Sequence, residues 1–211
     1  MESKKPMFWV MEGGDGAGKS TQIRLLAEFL REKGLAVTVC REPGSTKLGE
    51  EIRDILLNRA SLTIHRMSEL LLFMAARAQV TNEVIRPALA RGEVVLADRF
   101  VLSSIVYQGY AGGLDIEQLR AIGHIATGGL EPDGTLILDL SVAAAKARRN
   151  TPPDRLESEA DSFHERVRRG FLSEAARNPD KIHVISAEQP VEMLQQTIRH
   201  LTEAIWASSQ P

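Results

Sequence analysis

The octapeptide Gly13-Gly14-Asp15-Gly16-Ala17-Gly18-Lys19-Ser20 constrains this chain more than any other feature, because it satisfies G-x-x-x-x-G-K-[ST] at every fixed position. That pattern needs a strand just before it and a helix just after it, and both are legible. Met7–Met11 is a short apolar run; Thr21–Lys33 carries Ile23, Leu26 and Leu30 at helical spacing and ends at Gly34, a natural residue for a helix C-terminus. Gly13, Gly16 and Gly18 let the backbone bend so that successive N–H groups face phosphate oxygens. The helix opening near Lys19 adds the positive end of its dipole. Gly14, Asp15 and Ala17 complete the loop and Thr21 follows it on the helix. Lys19 can reach the β- and γ-phosphates of a nucleotide, and Ser20 offers a hydroxyl to Mg²⁺. The loop is a nucleotide site.

Four further runs, Ala36–Cys40, Val94–Ala97, Thr135–Leu140 and Ile182–Ile185, are short, rich in Val, Ile and Leu, and lack strict polar alternation. Strands covered on both faces have that composition. Between them, Leu48–Asn58, Met67–Ala90, Ile116–Ala126 and Val191–Trp206 read as helices. The alternation predicts βαβ units with right-handed crossovers: an α/β P-loop NTPase fold with a five-stranded parallel sheet flanked by helices on both faces. One domain is expected to span residues 1–211. Around residues 147–159, Arg148, Arg149, Thr151, Pro152, Pro153 and Asp154 interrupt the pattern, predicting a small, solvated, mobile lid.

Composition narrows the function classes. With 211 residues, 43% apolar and 26% charged, the chain can bury a sizeable core. A formal charge of −2 gives no reason to expect a nucleic-acid or anionic-membrane partner. No stretch approaches the roughly 20 apolar residues of a membrane span, and Glu12 stops the first apolar run too early for a secretory signal. Cys40 is the single cysteine, so an intramolecular disulfide is impossible and the cytoplasm is the expected compartment. The five histidines show no metal-ligand spacing, and Arg166, Arg168 and Arg169 read as a solvated helix face beyond the lid.

P-loops serve switches, motors and kinases, so partner motifs must decide. The guanine-reading Asn-Lys-x-Asp of GTPase switches is missing. Val94–Ala97 runs into Asp98-Arg99, where the carboxylate can orient a magnesium shell and the guanidinium faces the crevice that open α/β sheets use for ligands. A cation there suits an acceptor phosphate brought in line with the γ-phosphate.

Glu12–Thr21, Arg41-Glu42-Pro43-Gly44, Leu72–Arg77, and Asp98–Ser104 with Tyr107-Gln108-Gly109, in that order, resemble bacterial thymidylate kinases over nearly the whole chain. The loop lacks the proline of adenylate kinases. The resemblance implies ATP as phosphoryl donor, Mg²⁺ as cofactor, dTMP as substrate and a homodimer. By the same resemblance, Phe73 stacks on thymine and Arg77 hydrogen-bonds it; the two are four apart on a helix and share a face. Arg41, Arg53 and Arg99, with Glu42 and Pro43 beside them, correspond to residues near the monophosphate, where the planar guanidinium grips phosphate oxygens in pairs. Arg53 could equally pair with Glu50, Glu51 or Asp54. Ser103, Ser104 and Gln108 correspond to residues completing base recognition, Tyr107 to a ring that crowds C2′, and Asp15 to an acidic residue near the acceptor sugar. Gly16 stands where some relatives carry an arginine that reaches ATP, so the transition-state cation is expected from Arg148, Arg149 or Arg155 in the lid. A kinase for another nucleotide and a P-loop switch protein remain the alternatives.

Overall fold

The computed structural model describes residues 6–59, 61–149 and 152–209. Among them, β1 (Phe8–Gly13), β2 (Val37–Arg41), β3 (Val94–Asp98), β4 (Gly134–Asp139) and β5 (Ile182–Ser186) form one sheet in the order β2-β3-β1-β4-β5. Every pairing is parallel. The P-loop strand β1 is central, and the strand order reverses between β1 and β3, so a crevice opens at their carboxyl ends. Gly13 and Asp98 end those two strands.

Side-chain alternation along β1 assigns the two faces. Trp9 and Met11 join a core with Ile23, Leu26 and Leu30 of α1 (Lys19–Glu32) and Leu194 and Ile198 of α9 (Val191–Ser209). Phe8 and Val10 face the opposite way, into a cluster with Val80, Ile85, Ala88 and Phe100. Glu12 continues that second series, and a lone carboxylate is thereby carried into the interior on the side of Phe100.

The expected helix over 48–58 is α2 (Lys47–Arg53) ending in a π-helical turn, Asp54–Asn58. Its N-terminus is capped by Thr46, whose hydroxyl accepts from Gly49 N. The expected helix over 67–90 is α3 (Arg66–Val80), a π-helical turn (Thr81–Ile85) and α4 (Arg86–Ala90), with Pro87 in the first turn of α4, where its missing N–H is harmless. Two further helices match expectation, α6 (Ile116–Thr127) and α9. Residues 101–111 carried no helical stripe, yet form α5 (Val101–Ser104) continuing into a π-helical segment, Ile105–Ala111. Ser103 through Gly109 are buried all round, so no polar face exists to set a period. The alanine-rich α7 (Val142–Arg148) and α8 (Asp161–Arg177) complete the set.

The stretch expected to be a solvated lid is only partly so. Residues 150 and 151 lie outside those described, and Pro152 and Pro153 are exposed. Leu156 is buried, however, and Arg155 donates to the Leu56 carbonyl at 2.8 Å and to the buried Glu69 carboxylate. The charge run on α8 is likewise drawn inward at two of its three positions. Arg168 makes paired bonds of 2.7 and 2.8 Å to Asp139, and Arg166 donates to the Ala111 carbonyl, while Arg169 stays exposed.

Trp9 lies beside Gly134 in register, and a Cβ at Gly134 would run into its indole ring. Gly134→Ala is therefore expected to cost about 1–3 kcal/mol through overpacking. A lowered urea midpoint at unchanged slope reads it out, and an unaltered midpoint would show that the indole shifts freely.

Candidate active site

The P-loop takes its shape from close backbone approaches. Gly13, at φ 133°, has no room for a Cβ because the Leu138 carbonyl of β4 lies against it. Gly18, at φ 91°, turns the chain into α1. The Lys19 ammonium is buried and donates to the carbonyls of Gly13 and Gly14 at 3.1 and 2.9 Å, spanning its own loop. Burial lowers its pKa, and the neighbouring Arg99 charge lowers it further, against the pull of Asp15, Asp98 and Glu12.

Across the β1–β3 crevice, Ser20 Oγ donates to Asp98 Oδ2 at 2.8 Å. A hydroxyl and a carboxylate are hard oxygen donors, and Mg²⁺ takes one or two such ligands alongside substrate phosphates. The pair fits that cation.

Arg99 follows β3 with φ 72°, in the left-handed region that a non-glycine residue occupies at a cost of about 1–3 kcal/mol. The surrounding bonds hold it there. Arg99 N donates to Met11 O at 3.0 Å, and the fully buried Glu12 carboxylate accepts from Phe100 N at 2.9 Å, Ser103 N at 3.1 Å and Ser103 Oγ at 2.6 Å. Burial raises the Glu12 pKa, opposed by Arg99, Ser103, the Phe100 amide and Lys19. The guanidinium itself donates to Asp15 Oδ1, to Ser103 Oγ at 3.0 Å and to the Tyr107 hydroxyl at 3.3 Å. Tyr107 in turn donates to Asp15 Oδ2 at 3.0 Å. Burial alone would push Asp15 up, but the Arg99 and Lys19 charges outweigh it and hold its carboxyl well below the usual range. One cation thus binds the P-loop acid to the strand end facing it.

Beyond Arg99 opens a cleft walled by Asp15, Glu42, Pro43, Arg53, Phe73, Arg77, Ser103, Ser104, Tyr107 and Gln108. Phe73 is half-buried. Arg77, 1% exposed, donates from Nε to Glu42 Oε2 at 2.6 Å, from Nη1 to Ser104 Oγ at 3.0 Å and from Nη2 to Phe100 O at 2.9 Å. Burial raises Glu42 to about 7 even with Arg77 pulling the other way. Arg53 is not taken up by the acids within its own turn; it donates to the Pro43 carbonyl at 3.0 Å and lines the cleft. Arg41 sits apart, more than half exposed and 3.0 Å from Glu50, on the wall of the P-loop crevice with Gly16, Gly18, Ser20 and Thr21.

The three lid arginines diverge. Arg148 lines the P-loop crevice and donates to Ala187 O at 2.8 Å. Arg149 sits 3.7 Å from Glu157, on a pocket beside Gly13 and Gly14. Arg155, bound to Leu56 O and Glu69, is committed to the far side of the cleft.

Comparison with known proteins decides the class. The thymidylate kinase family model matches residues 11–198. The chain belongs to the thymidylate kinase family. It is accordingly an enzyme, a dTMP kinase by class. It is 46% identical to the thymidylate kinase of Symbiobacterium thermophilum over 200 residues, 94% of each chain. With that of Desulforudis audaxviator it shares 47% over 203 residues, covering 95% of this chain and 89% of the other. The crystal structure of thymidylate kinase from Ehrlichia chaffeensis superposes with a TM-score of 0.78 at 33% identity, covering 94% of this chain and 98% of that one.

Several residues on or behind the cleft wall have no role assigned by the sequence alone. Glu12 enters the sequence pattern as the charge that stops an apolar run and as the first residue of the resembling block, with no role of its own, although a carboxylate ending a strand buried on both faces is itself a signal. Glu69 lies one helical turn before Phe73 and two before Arg77, on the same face of α3. Leu57, Asp154, Leu156 and Glu157 reach the thymidylate kinase cleft by tertiary packing, with no local signal.

Glu12→Gln leaves shape intact but turns an N–H toward donors that need an acceptor. It should cost about 1–3 kcal/mol of stability and, by loosening the Arg99 turn, lower kcat at least tenfold. Denaturant titration and steady-state kinetics check both, and wild-type turnover in a destabilised variant would detach Glu12 from the Arg99 geometry.

Proposed function

We propose that this chain transfers the γ-phosphate of Mg²⁺-bound ATP to dTMP by direct in-line displacement, giving dTDP and ADP. The observation that supports this reading best is that the P-loop crevice and the Phe73 cleft share Asp15, Glu42, Arg53, Arg99 and Glu157 as common wall. Two ligands seated in them would meet at Arg99.

In this reading the P-loop amides and Lys19 hold the ATP phosphates. Ser20 and Asp98 hold Mg²⁺, which when bound neutralises charge on the β- and γ-phosphate oxygens. Arg99, with Arg53 and Arg41, positions the acceptor phosphate, which already carries negative charge and needs no general base. Phe73 stacks on the pyrimidine, while Arg77, Ser104 and Gln108 supply directed hydrogen bonds. Ser103, bonded to both Arg99 and Glu12, keeps the phosphate and base ends in register. Tyr107, anchored to Asp15 and packed edge-on against Phe163 and Phe171, crowds C2′ and favours deoxyribose. Of the lid arginines, Arg148 is best placed to reach the transferring phosphoryl group, because it shares the crevice with Lys19 and Ser20. Lid closure would keep water from accepting that group.

The proposed activity uses cellular ATP and mononucleotides, and so belongs in the cytoplasm with no nucleic-acid or membrane partner. Among the described residues, no helix is long and apolar enough to cross a membrane. We extend the proposal to a homodimer, for which Leu71 of α3 (52% exposed) and Ile125 of α6 (77% exposed), on helices that pack together, offer apolar surface.

A coupled assay comparing dTMP, dUMP, dCMP, dAMP and dGMP with Mg·ATP should show clear preference for dTMP; equal use of the others would reject the reading. Lys19→Ala should abolish turnover with the fold intact, checked by circular dichroism beside the assay. Phe73→Ala should raise the dTMP KM by the equivalent of about 1–3 kcal/mol of base stacking, and an effect confined to ATP would misplace the base pocket.

A further inference from the structure

Glu69 has no place in the chemistry above, yet it is fully buried against Gln108, a wall residue of the pyrimidine cleft, and gathers three donors. Gln108 Nε2 donates to its Oε1 at 2.9 Å, Arg66 Nη1 approaches the same oxygen at 3.4 Å, and Arg155 donates to Oε2. Each Glu69 oxygen thus faces a guanidinium, which can only donate, so both oxygens are taken up as acceptors. The end of the Gln108 amide that faces Glu69 must therefore be the NH₂. Its carbonyl oxygen is then the group that the amide can offer to the cleft, whose wall Gln108 forms. A flipped amide would set oxygen against oxygen in a buried site, which the desolvated carboxylate forbids.

We propose that Glu69 is a specificity-determining positioning residue: by fixing the Gln108 amide it makes the cleft present an acceptor to the base edge. Thymine carries an N–H at N3, whereas cytosine carries a bare acceptor there, so the fixed amide admits one and rejects the other. Arg66 and Arg155 serve this readout indirectly, by bonding the two Glu69 oxygens and holding the side chain against Gln108. The inference rests on the cleft being the dTMP site.

Two measurements test it. Glu69→Gln keeps the volume but can donate or accept, which frees Gln108 to turn over. The ratio of kcat/KM for dTMP over dCMP should fall at least tenfold, through KM for the nucleotide rather than kcat, with the ATP KM unchanged; Glu69→Asp, which keeps the carboxylate, should recover part of the ratio. A folded Glu69→Gln enzyme that phosphorylates dTMP with the wild-type ratio overturns the proposal while leaving the function standing, whereas a wild-type enzyme that does not use dTMP fails the function itself. Should the variant not fold, nuclear magnetic resonance of the wild-type protein decides. The Gln108 side-chain NH₂ protons are expected to be protected from exchange before any nucleotide is added. Protons that exchange freely until dTMP binds would mean the NH₂ faces the cleft, and Glu69 would not orient it.

Discussion

The arrangement of this molecule depends on one buried cation held in an uncommon backbone conformation. Arg99 leaves β3 in the left-handed region, and that turn aims its guanidinium across the crevice at Asp15 rather than along the strand. No glycine stands there to make the turn easy. It is held instead by Glu12, which accepts from two backbone amides and a hydroxyl just beyond Arg99. Strain of this kind persists only where neighbours over-determine it. Here they do, and the guanidinium is fixed where two clefts meet.

The same logic recurs deeper in the cleft. Burying a charge is costly unless it is paired or hydrogen-bonded, and three acids at this site are paired with arginines. Glu42 takes Arg77, Asp15 takes Arg99, and Glu69 takes Arg155 and Arg66. Arg77, Arg99, Arg155 and Arg66 are thus oriented before any ligand arrives. Preorganised donors need little reorganisation at the moment of reaction, the main source of electrostatic catalysis. The sheet supplies the rigidity beneath: β1 and β3 are central strands paired on both sides, and Asp98 at the end of β3 lies in register with Met11 of β1, within reach of Ser20 at the end of the P-loop.

Much of this was legible in the sequence where local rules govern. The P-loop, its flanking strand and helix, the five strands and the parallel sheet followed from motif and period. The gathering of Phe73, Arg77, Ser104, Tyr107 and Gln108 around one cleft followed from resemblance to the family. The rest was hidden for physical reasons. Residues 103–109 give no helical period because every side is buried. Glu12 is held by Phe100, 88 residues further along the chain, and Glu69 meets Gln108 and Arg155, 39 and 86 residues further, contacts that no local window contains. The lid reads as solvated because its composition is polar, whereas the buried Glu69 carboxylate draws Arg155 inward and Leu156 is buried on the cleft wall.

The central claim is that two ligands meet at Arg99, one on the P-loop and the other against Phe73. The most direct measurement is a crystal structure with a bisubstrate compound joining adenosine to thymidine through a chain of phosphates. The pyrimidine is expected on the Phe73 ring, with the phosphate chain passing the Arg99 guanidinium into the amides of residues 13–20. A pyrimidine seated away from α3, or a phosphate chain that bypasses Arg99, would contradict it.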